Sequence, residues 1–201
     1  MFRAVLLSAL LIPLASGAQT EADTTLDAAL AATLGAIYES DQGGRMEWRR
    51  IRESYNGAVP DSARTAFWDA QTRIDEANFV RVDSIVSARG WPSPAMAGEQ
   101  GSLAAFLVVQ HAPLEAQQRY LPILTAAVEA GAAEPWHLAY LTDRVLWRTD
   151  RPQRYGSQYR LDPETNARTY EPIEDLSQLN ARRAEIGMGP HPTLSDRTDD
   201  G

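Results

Sequence analysis

A chain of 201 residues with a formal net charge of −8, no cysteine and only arginine as its basic residue is long enough for one domain with a proper core. The missing cysteines exclude thiol nucleophiles, thiolate metal sites and a disulfide framework, and the missing lysines exclude Schiff-base catalysis and the phosphate-binding lysine of P-loop enzymes. The negative charge disfavours a nucleic-acid partner. Any chemistry must therefore come from three histidines, carboxylates, hydroxyls and arginines.

The N-terminal residues have the pattern of a cleaved export signal. Arg3 gives a short positive start, residues 4–14 are mostly apolar and too few to span a bilayer with ease, and residues 16–18 are small. We predict a signal peptide over residues 1–18, cleavage after Ala18, and a periplasmic or secreted protein, with an uncleaved anchor as the alternative. No later segment is apolar and long enough for a membrane span, so we expect no stable membrane insertion after cleavage.

Two long helices are predicted in the first half of the chain, because apolar residues recur there at three- and four-residue spacing. The first follows Thr24 or Thr25 as its N-cap and reaches Arg50 or beyond, with the Gly43-Gly44 pair as a weak point. The second spans residues 63–89 and ends before a Gly-Trp-Pro stop signal.

Three shorter helices follow by the same criterion. Gly98 and Gly101 flank the start of the third, and Pro113 opens the fourth, which ends by Gly131. The fifth begins at Pro135. Aromatic side chains near these helices could stack a sugar or an aromatic ligand, although aromatic residues at helical spacing are more typical of a core: Trp91, Trp136, Tyr140, Trp147 and Tyr155.

The pattern changes after the fifth helix. Residues 158–161 and 168–171 predict a β-hairpin across a turn-rich linker, and Asp175 with a glutamine three residues later resembles the capping box of a last helix that ends near Ile186. From Pro190 the chain is polar and rich in turn formers, so we predict a disordered tail over residues 190–201. The predicted fold is a mainly α, single-domain irregular bundle of about six helices with one small β-hairpin, covering residues 19–189.

Polar residues interrupt four of the predicted apolar helix faces near one end. A buried charge is retained at low cost only if it is paired or hydrogen-bonded, so these interruptions predict one shared polar cluster. The interruptions are Asp41/Arg45, Asp75/Asn78, Gln110/His111 and Asp143/Arg144.

His111 is the candidate general base of this cluster. It lies near the C-terminus of its predicted helix, and either Asp143 or Asp75 could orient its imidazole. The alternative is a hydrogen-bonded core histidine that fixes two helices together. His137, near the start of its helix, is expected at the surface, and the chain has no paired-histidine motif, so we predict no metal site and no cofactor.

Arg144 is the candidate anion ligand, since a guanidinium offers a planar pair of donors to a carboxylate or phosphate. The alternative is an internal ion pair between Arg144 and Asp41 or Asp75. The loop over residues 152–158 could form a ligand wall, because Gln153, Tyr155 and Gln158 carry hydrogen-bonding groups. Equally, its glutamines could satisfy carbonyl groups at helix ends.

Several short motifs occur in a fixed order along the chain. They are DQ-x-x-R (Asp41, Gln42, Arg45), GWP (90–92), QH-A (110–112), YLTDR (140–144), PQ-x-YGSQ (152–158), PIED (172–175) and RR-x-x-x-G (182–187). This set resembles a bacterial family that is catalogued only as a domain of unknown function. The resemblance supports the fold and the list of positions and implies no particular activity. The family commonly has an aspartate just after QH-A, where this chain has Pro113, so no carboxylate is carried over to that point.

Three classes of function remain. The first is a domain that binds a small polar or anionic ligand, the second is a hydrolase or lyase with His111 as base, and the third is a structural or interaction domain. Oligomeric state is open. The candidate catalytic residues are His111, Asp143 and Arg144, and the candidate ligand-binding residues are Asp41, Gln42, Arg45, Asp75, Asn78, Gln110, Gln153, Tyr155 and Gln158.

Overall fold

The computed structural model describes residues 25–162, 165 and 167–195, so the predicted signal peptide lies outside the described residues. In that part of the chain the protein is a mainly α-helical domain with seven helices and one antiparallel hairpin, which confirms the predicted fold class. The elements are α1 (Ala28–Ser54), α2 (Asp61–Arg89), α3 (Pro94–His111), α4 (Leu114–Glu129), α5 (Pro135–Arg148), β1 (Tyr159–Leu161), β2 (Arg168–Tyr170), α6 (Leu179–Glu185) and α7 (Pro192–Ser195).

Helices α1, α3 and α5 run in the same direction. The N–H of Asp27 donates to the carbonyl of Met96 at 2.9 Å near the starts of α1 and α3, whereas His111 at the end of α3 reaches Asp41 farther along α1. The ring of Phe106 in α3 packs on that of Trp136 at the start of α5, with centroids 5.3 Å apart. The C-terminal parts of α3 and α5, together with α1 beyond its midpoint, therefore lie at one end of the bundle.

Helix α2 runs antiparallel to α1. Arg89 at the end of α2 contacts Asp27 just before α1, and Asn78 hydrogen-bonds Ser40 halfway along both helices. Buried apolar side chains from α1 to α5 form one continuous core, and burial of this apolar area is the main stabilising term. Fully buried members include Leu34, Ile37, Val82, Phe106, Tyr120, Leu124 and Leu141.

Several helix boundaries differ from the prediction because local capping decides them. Asp27, rather than a threonine, caps α1: its Oδ1 accepts from the N–H groups of Ala29 and Leu30 at 3.0 and 2.9 Å. Helix α3 begins earlier than predicted, at Pro94, and is broken at Gly98, whose φ of 72° favours glycine. The predicted weak point at residues 43–44 lies inside a continuous helix.

The hairpin forms as predicted, with Tyr159 paired to Tyr170. Asp175 does not act as the predicted capping residue: its φ is 37° and its side chain accepts from the Ser177 hydroxyl instead, so a short 3₁₀ turn precedes α6. Residues 190–195 of the predicted tail are described, and they contain buried His191 and the short helix α7. Among the described helices, none is both long and apolar enough to cross a bilayer.

Candidate functional site

An arginine in α1 links two carboxylates at one end of the bundle. Arg45 Nη1 donates to Asp41 Oδ1 at 3.2 Å and to the Asp41 carbonyl at 2.7 Å, and its Nη1 and Nη2 contact the two oxygens of Asp75 in α2 at 3.1 and 2.9 Å. Paired Nη contacts to both carboxylate oxygens fix the orientation of the guanidinium. Arg45 therefore ties α1 to α2, and both of its Nη atoms contact carboxylates.

His111 completes this network from the end of α3. Its Nδ1 lies 3.0 Å from Asp41 Oδ1, and the Asp41 side chain is only 1% exposed. Burial raises the pKa of Asp41, but His111, Arg45 and a 2.6 Å hydrogen bond from Gln42 together hold that pKa below its usual value. The predicted orienting carboxylate of His111 was Asp143 or Asp75, and that prediction is wrong: Asp41, seventy positions earlier in the chain, supplies it.

A pocket of about 400 Å³ opens beside this network. Such a volume is large enough for a small ligand. Two tryptophans form apolar parts of its wall, and the remaining lining side chains are polar or charged. The lining residues are Arg45, Trp68, Asp75, Gln110, His111, Arg144, Trp147 and Arg148.

Arg144 is the unsatisfied cation of this pocket. Its Nε is buried without a hydrogen-bond partner, and among the described residues no carboxylate pairs with it. Its guanidinium carbon lies 5.8 Å from the centroid of the Trp147 ring. Burial, together with the positive charges of Arg148 and Arg45, lowers the pKa of Arg144 to about 10, so it is still protonated at neutral pH. The alternative of an internal ion pair with Asp41 or Asp75 is not what the structure has, because Arg45 occupies both carboxylates.

Arg148, one turn after Arg144, adds a second cation that bonds only to neutral groups. It donates to the carbonyl of Ala112 at 3.0 Å and to Gln117 Oε1 at 3.2 Å. Gln110 also lines the pocket, and its Oε1 is buried with no partner among the described residues. The pocket therefore presents two arginines without carboxylate partners and one free acceptor.

Gln71 of α2 supports the network, whereas Asn78 of the same helix does not hydrogen-bond to it. Gln71 donates to Asp75 Oδ1 at 2.7 Å, and its side chain crosses directly over Gly44 of α1, where an added Cβ would lie 1.8 Å from Gln71 Oε1. Asn78 exchanges hydrogen bonds with Ser40 rather than with the pocket. Gly44 thus allows the close approach of α1 and α2 that positions Asp75.

Asp143 lies in a second polar cluster, apart from His111. Its carboxylate accepts from the backbone N–H groups of Arg154 at 2.7 Å, Tyr155 at 3.0 Å and Ser157 at 2.8 Å. Burial raises the pKa of Asp143, and these N–H donors offset part of that effect. The predicted catalytic role of Asp143 beside His111 is therefore wrong in its geometry: Asp143 organises the 152–158 loop.

The two buried glutamines of this loop have hydrogen-bond partners in the loop and at Glu171. Gln153, fully buried, donates to the carbonyls of Gln158 and Glu171 and accepts from the Gln158 N–H at 2.6 Å. Gln158 donates to the Ser157 hydroxyl at 2.9 Å. The side chain of Gln153 thus satisfies backbone groups of the loop and the carbonyl of Glu171, just after β2, whereas Gln158 bonds a side-chain hydroxyl. The predicted role of these glutamines at helix-end carbonyls is therefore wrong. Tyr155 is not among the side chains that line the His111 pocket.

Sequence patterns did not identify the residues that hold this loop from the C-terminal side. Arg183 donates to the carbonyls of Tyr155 and Gly189, both at 2.7 Å, and buried His191 has its Nε2 3.1 Å from the carbonyl of Gly156. Sequence patterns also did not identify Trp68, Gln71 and Arg148 as site residues. Helical spacing could have found them, since Arg148 follows Arg144 by four positions and Gln71 precedes Asp75 by four.

Of the predicted site residues, seven meet in and under the pocket: Asp41, Gln42, Arg45, Asp75, Gln110, His111 and Arg144. The described residues contain no group of three histidine, aspartate or glutamate side chains arranged to hold a metal ion.

The fold and the polar network define a helical domain with a cationic pocket at one end. A family model described as "Family of unknown function (DUF6624)" matches residues 29–197, which include every helix and strand described above apart from the first residue of α1. The chain belongs to this family. No curated protein and no solved structure matches it.

Proposed function

We propose that this domain binds a small molecule with an anionic group, a carboxylate or a phosphate, in the pocket between the ends of α3 and α5. The observation that carries the proposal is partly buried Arg144, whose Nε is buried without a hydrogen-bond partner and which has no carboxylate partner among the described residues. Removing an unpaired charge from water raises the free energy of the folded protein. A bound anion would supply the missing partner and remove that cost.

The other lining residues support the same ligand class. Arg148 adds a second positive charge, and the rings of Trp68 and Trp147 offer apolar surface for the body of a ligand. Gln110 Oε1 offers an acceptor for a ligand hydroxyl. A small organic anion with a flat or apolar body fits these groups better than a free inorganic ion does.

Calorimetric titration with phenyl phosphate and benzoate tests the proposal, with phenol as a neutral control of similar shape. We expect saturable binding of the anions and at least about tenfold weaker binding of phenol, because a charge-assisted hydrogen bond to a guanidinium contributes about 1.5–3 kcal/mol.

Arg144→Met is the decisive variant and Arg81→Met, on the exposed face of α2, is its matched control. Arg144→Met should leave thermal stability equal or higher, since it removes a partly buried charge that has no carboxylate partner, and should abolish anion binding. Arg81→Met should bind as the wild type does. Unchanged binding in Arg144→Met, or a strongly destabilised Arg144→Met protein, would refute the assignment.

A second function, hydrolysis of such a ligand, is favoured by one contact. With Nδ1–H of His111 donating to buried Asp41, the other imidazole nitrogen keeps its lone pair, as a general base requires. Turnover of p-nitrophenyl phosphate and p-nitrophenyl acetate would test this. Hydrolysis by the wild type that is lost in both His111→Gln and Asp41→Asn supports it, and rates equal to those of buffer in the wild type exclude it for these esters.

We also propose that residues 1–18 direct export of the chain. The sequence of one arginine, an apolar stretch and a small-residue site supports this. Expression in a Gram-negative host, followed by N-terminal sequencing of the periplasmic fraction, should give a chain that begins at Gln19. Recovery of only the full-length chain in the cytoplasm would contradict the proposal.

A further inference from the structure

A second pocket lies at the opposite end of α3 and α5. Its volume is about 490 Å³, and it shares none of its described lining residues with the Arg144 pocket. The starts of α3 and α5 and the middle of α1 form its walls. Its lining residues include Tyr38, Glu99, Ser102, Glu134, Trp136 and His137.

Two buried side chains on its wall have polar atoms without partners in the described structure. His137 is only 2% exposed, contrary to the predicted surface position, because its ring stacks on Phe106 at 4.2 Å and meets the edge of Trp136 at 4.1 Å. Its Nδ1 has no hydrogen-bond partner, and the same holds for Oγ of Ser102, which is 1% exposed.

These unpartnered atoms point to a ligand. A buried polar group without a hydrogen bond costs about 1–3 kcal/mol, and most buried polar groups in folded proteins do have one. Burial also lowers the pKa of His137 to about 4, so its imidazole is neutral at physiological pH and does not repel a cation. Two such atoms on the wall of one pocket mark a place where a ligand's polar group can bind.

The charge of the pocket indicates the sign of that ligand. Glu99 and Glu134 lie at its exposed edge, and no arginine is among the described lining residues. The rings of Tyr38 and Trp136 also line the pocket, and the faces of such rings attract cations. No metal-binding group of side chains occurs in the described part of the chain, so an organic cation fits this pocket better than a metal ion does.

We propose that this pocket binds a small organic cation, an amine or quaternary ammonium compound, with the cation between the two glutamates and the aromatic rings. A hydroxyl or similar polar group of the ligand hydrogen-bonds Ser102 and His137. This site uses different residues from the anion pocket, so either proposal can fail without the other.

Histidine-selective NMR tests the proposal, because the chain has three histidines, His111, His137 and His191. The probe is choline, which carries a quaternary ammonium and a hydroxyl, and its control is 3,3-dimethyl-1-butanol, the neutral carbon analogue of the same shape. Choline should shift the ring resonance of His137 saturably and leave the other two in place. The neutral analogue should bind at least about fivefold more weakly, since cation–π and carboxylate attraction are absent.

The variant is Glu99→Gln with Glu134→Gln, both at exposed positions where the fold tolerates an isosteric neutral side chain, and the control is Glu185→Gln on α6. The double variant should lose choline binding at least about fivefold, and the control should bind as the wild type does. No shift of the His137 resonance in the wild type, equal binding of choline and its neutral analogue, or unchanged binding in the double variant would each overturn the proposal.

Discussion

Lowering the pH from 7 towards 4 should destabilise this domain, and His137 should account for about 3 kcal/mol of that loss. Its ordinary pKa is 6.5, and burial lowers it to about 4 in the fold. Between these two values the unfolded chain binds a proton at this residue and the folded chain does not. The free energy of unfolding therefore rises with pH across that window by about 1.4 kcal/mol per pH unit, and it is fully recovered above about pH 7.

Urea unfolding followed by tryptophan fluorescence, at intervals between pH 4.5 and 7.5, measures this slope. Burial and the charge of Arg183 also lower the pKa of His191, so the contribution of His137 is taken from the difference between the wild type and His137→Gln. The variant should show a flatter pH dependence, whatever its absolute stability. The same slope in both proteins would show that His137 is not held neutral by its surroundings and would refute the reasoning.

Four further substitutions test the two polar clusters. Gly156→Ala should destabilise the fold by about 2 kcal/mol or more in urea unfolding, because φ is 64° there and an added Cβ would lie 2.7 Å from the His191 ring; wild-type stability would contradict this. Asp143→Asn should lose about 2–3 kcal/mol and speed hydrogen exchange in the 154–157 loop, because an amide nitrogen cannot accept the loop's N–H bonds; unchanged exchange would exclude that role. Gly43→Ala, where a Cβ meets nothing, should gain up to about 1 kcal/mol, whereas Gly44→Ala, where it meets a buried glutamine, should gain none; equal gains would refute the close approach.

The helices and the hairpin could be predicted from the sequence because they rest on local patterns. Three- and four-residue spacing of apolar side chains, together with the prolines and glycines between them, is visible within a window of one element. Caps were less predictable, since several polar residues near each helix start can accept the same N–H bonds. Asp27 acts as the cap of α1 although Thr24 and Thr25 were the predicted choices.

Most of the polar cluster was predictable, although Asn78 and Asp143 lie outside it, and its pairing was not predictable. Arg45 and Asp41 share a helix, but the partner of His111 depends on how α1 packs against α3, which no local pattern specifies. Neighbouring residues 143 and 144 point about 100° apart on α5, so only one of them can face the pocket, and the sequence does not say how the helix is rotated.

The predicted surface position of His137 was wrong for the same reason: a local pattern does not show how helices pack. Its position in the first turn of α5 suggested the surface, yet tertiary stacking on Phe106 buries it. Burial of a helix start depends on what lies opposite it, and here the opposite element is α3.

The most direct test of the account is the NMR signal of the Arg144 Nε–H group, assigned by its absence in Arg144→Met. This group is buried and has no partner in the described structure. On addition of phenyl phosphate its proton should shift downfield as the phosphate accepts its hydrogen bond, while the Arg81 signal stays in place. An Arg144 signal whose chemical shift does not change at saturating ligand would contradict the central claim that this arginine binds an anion.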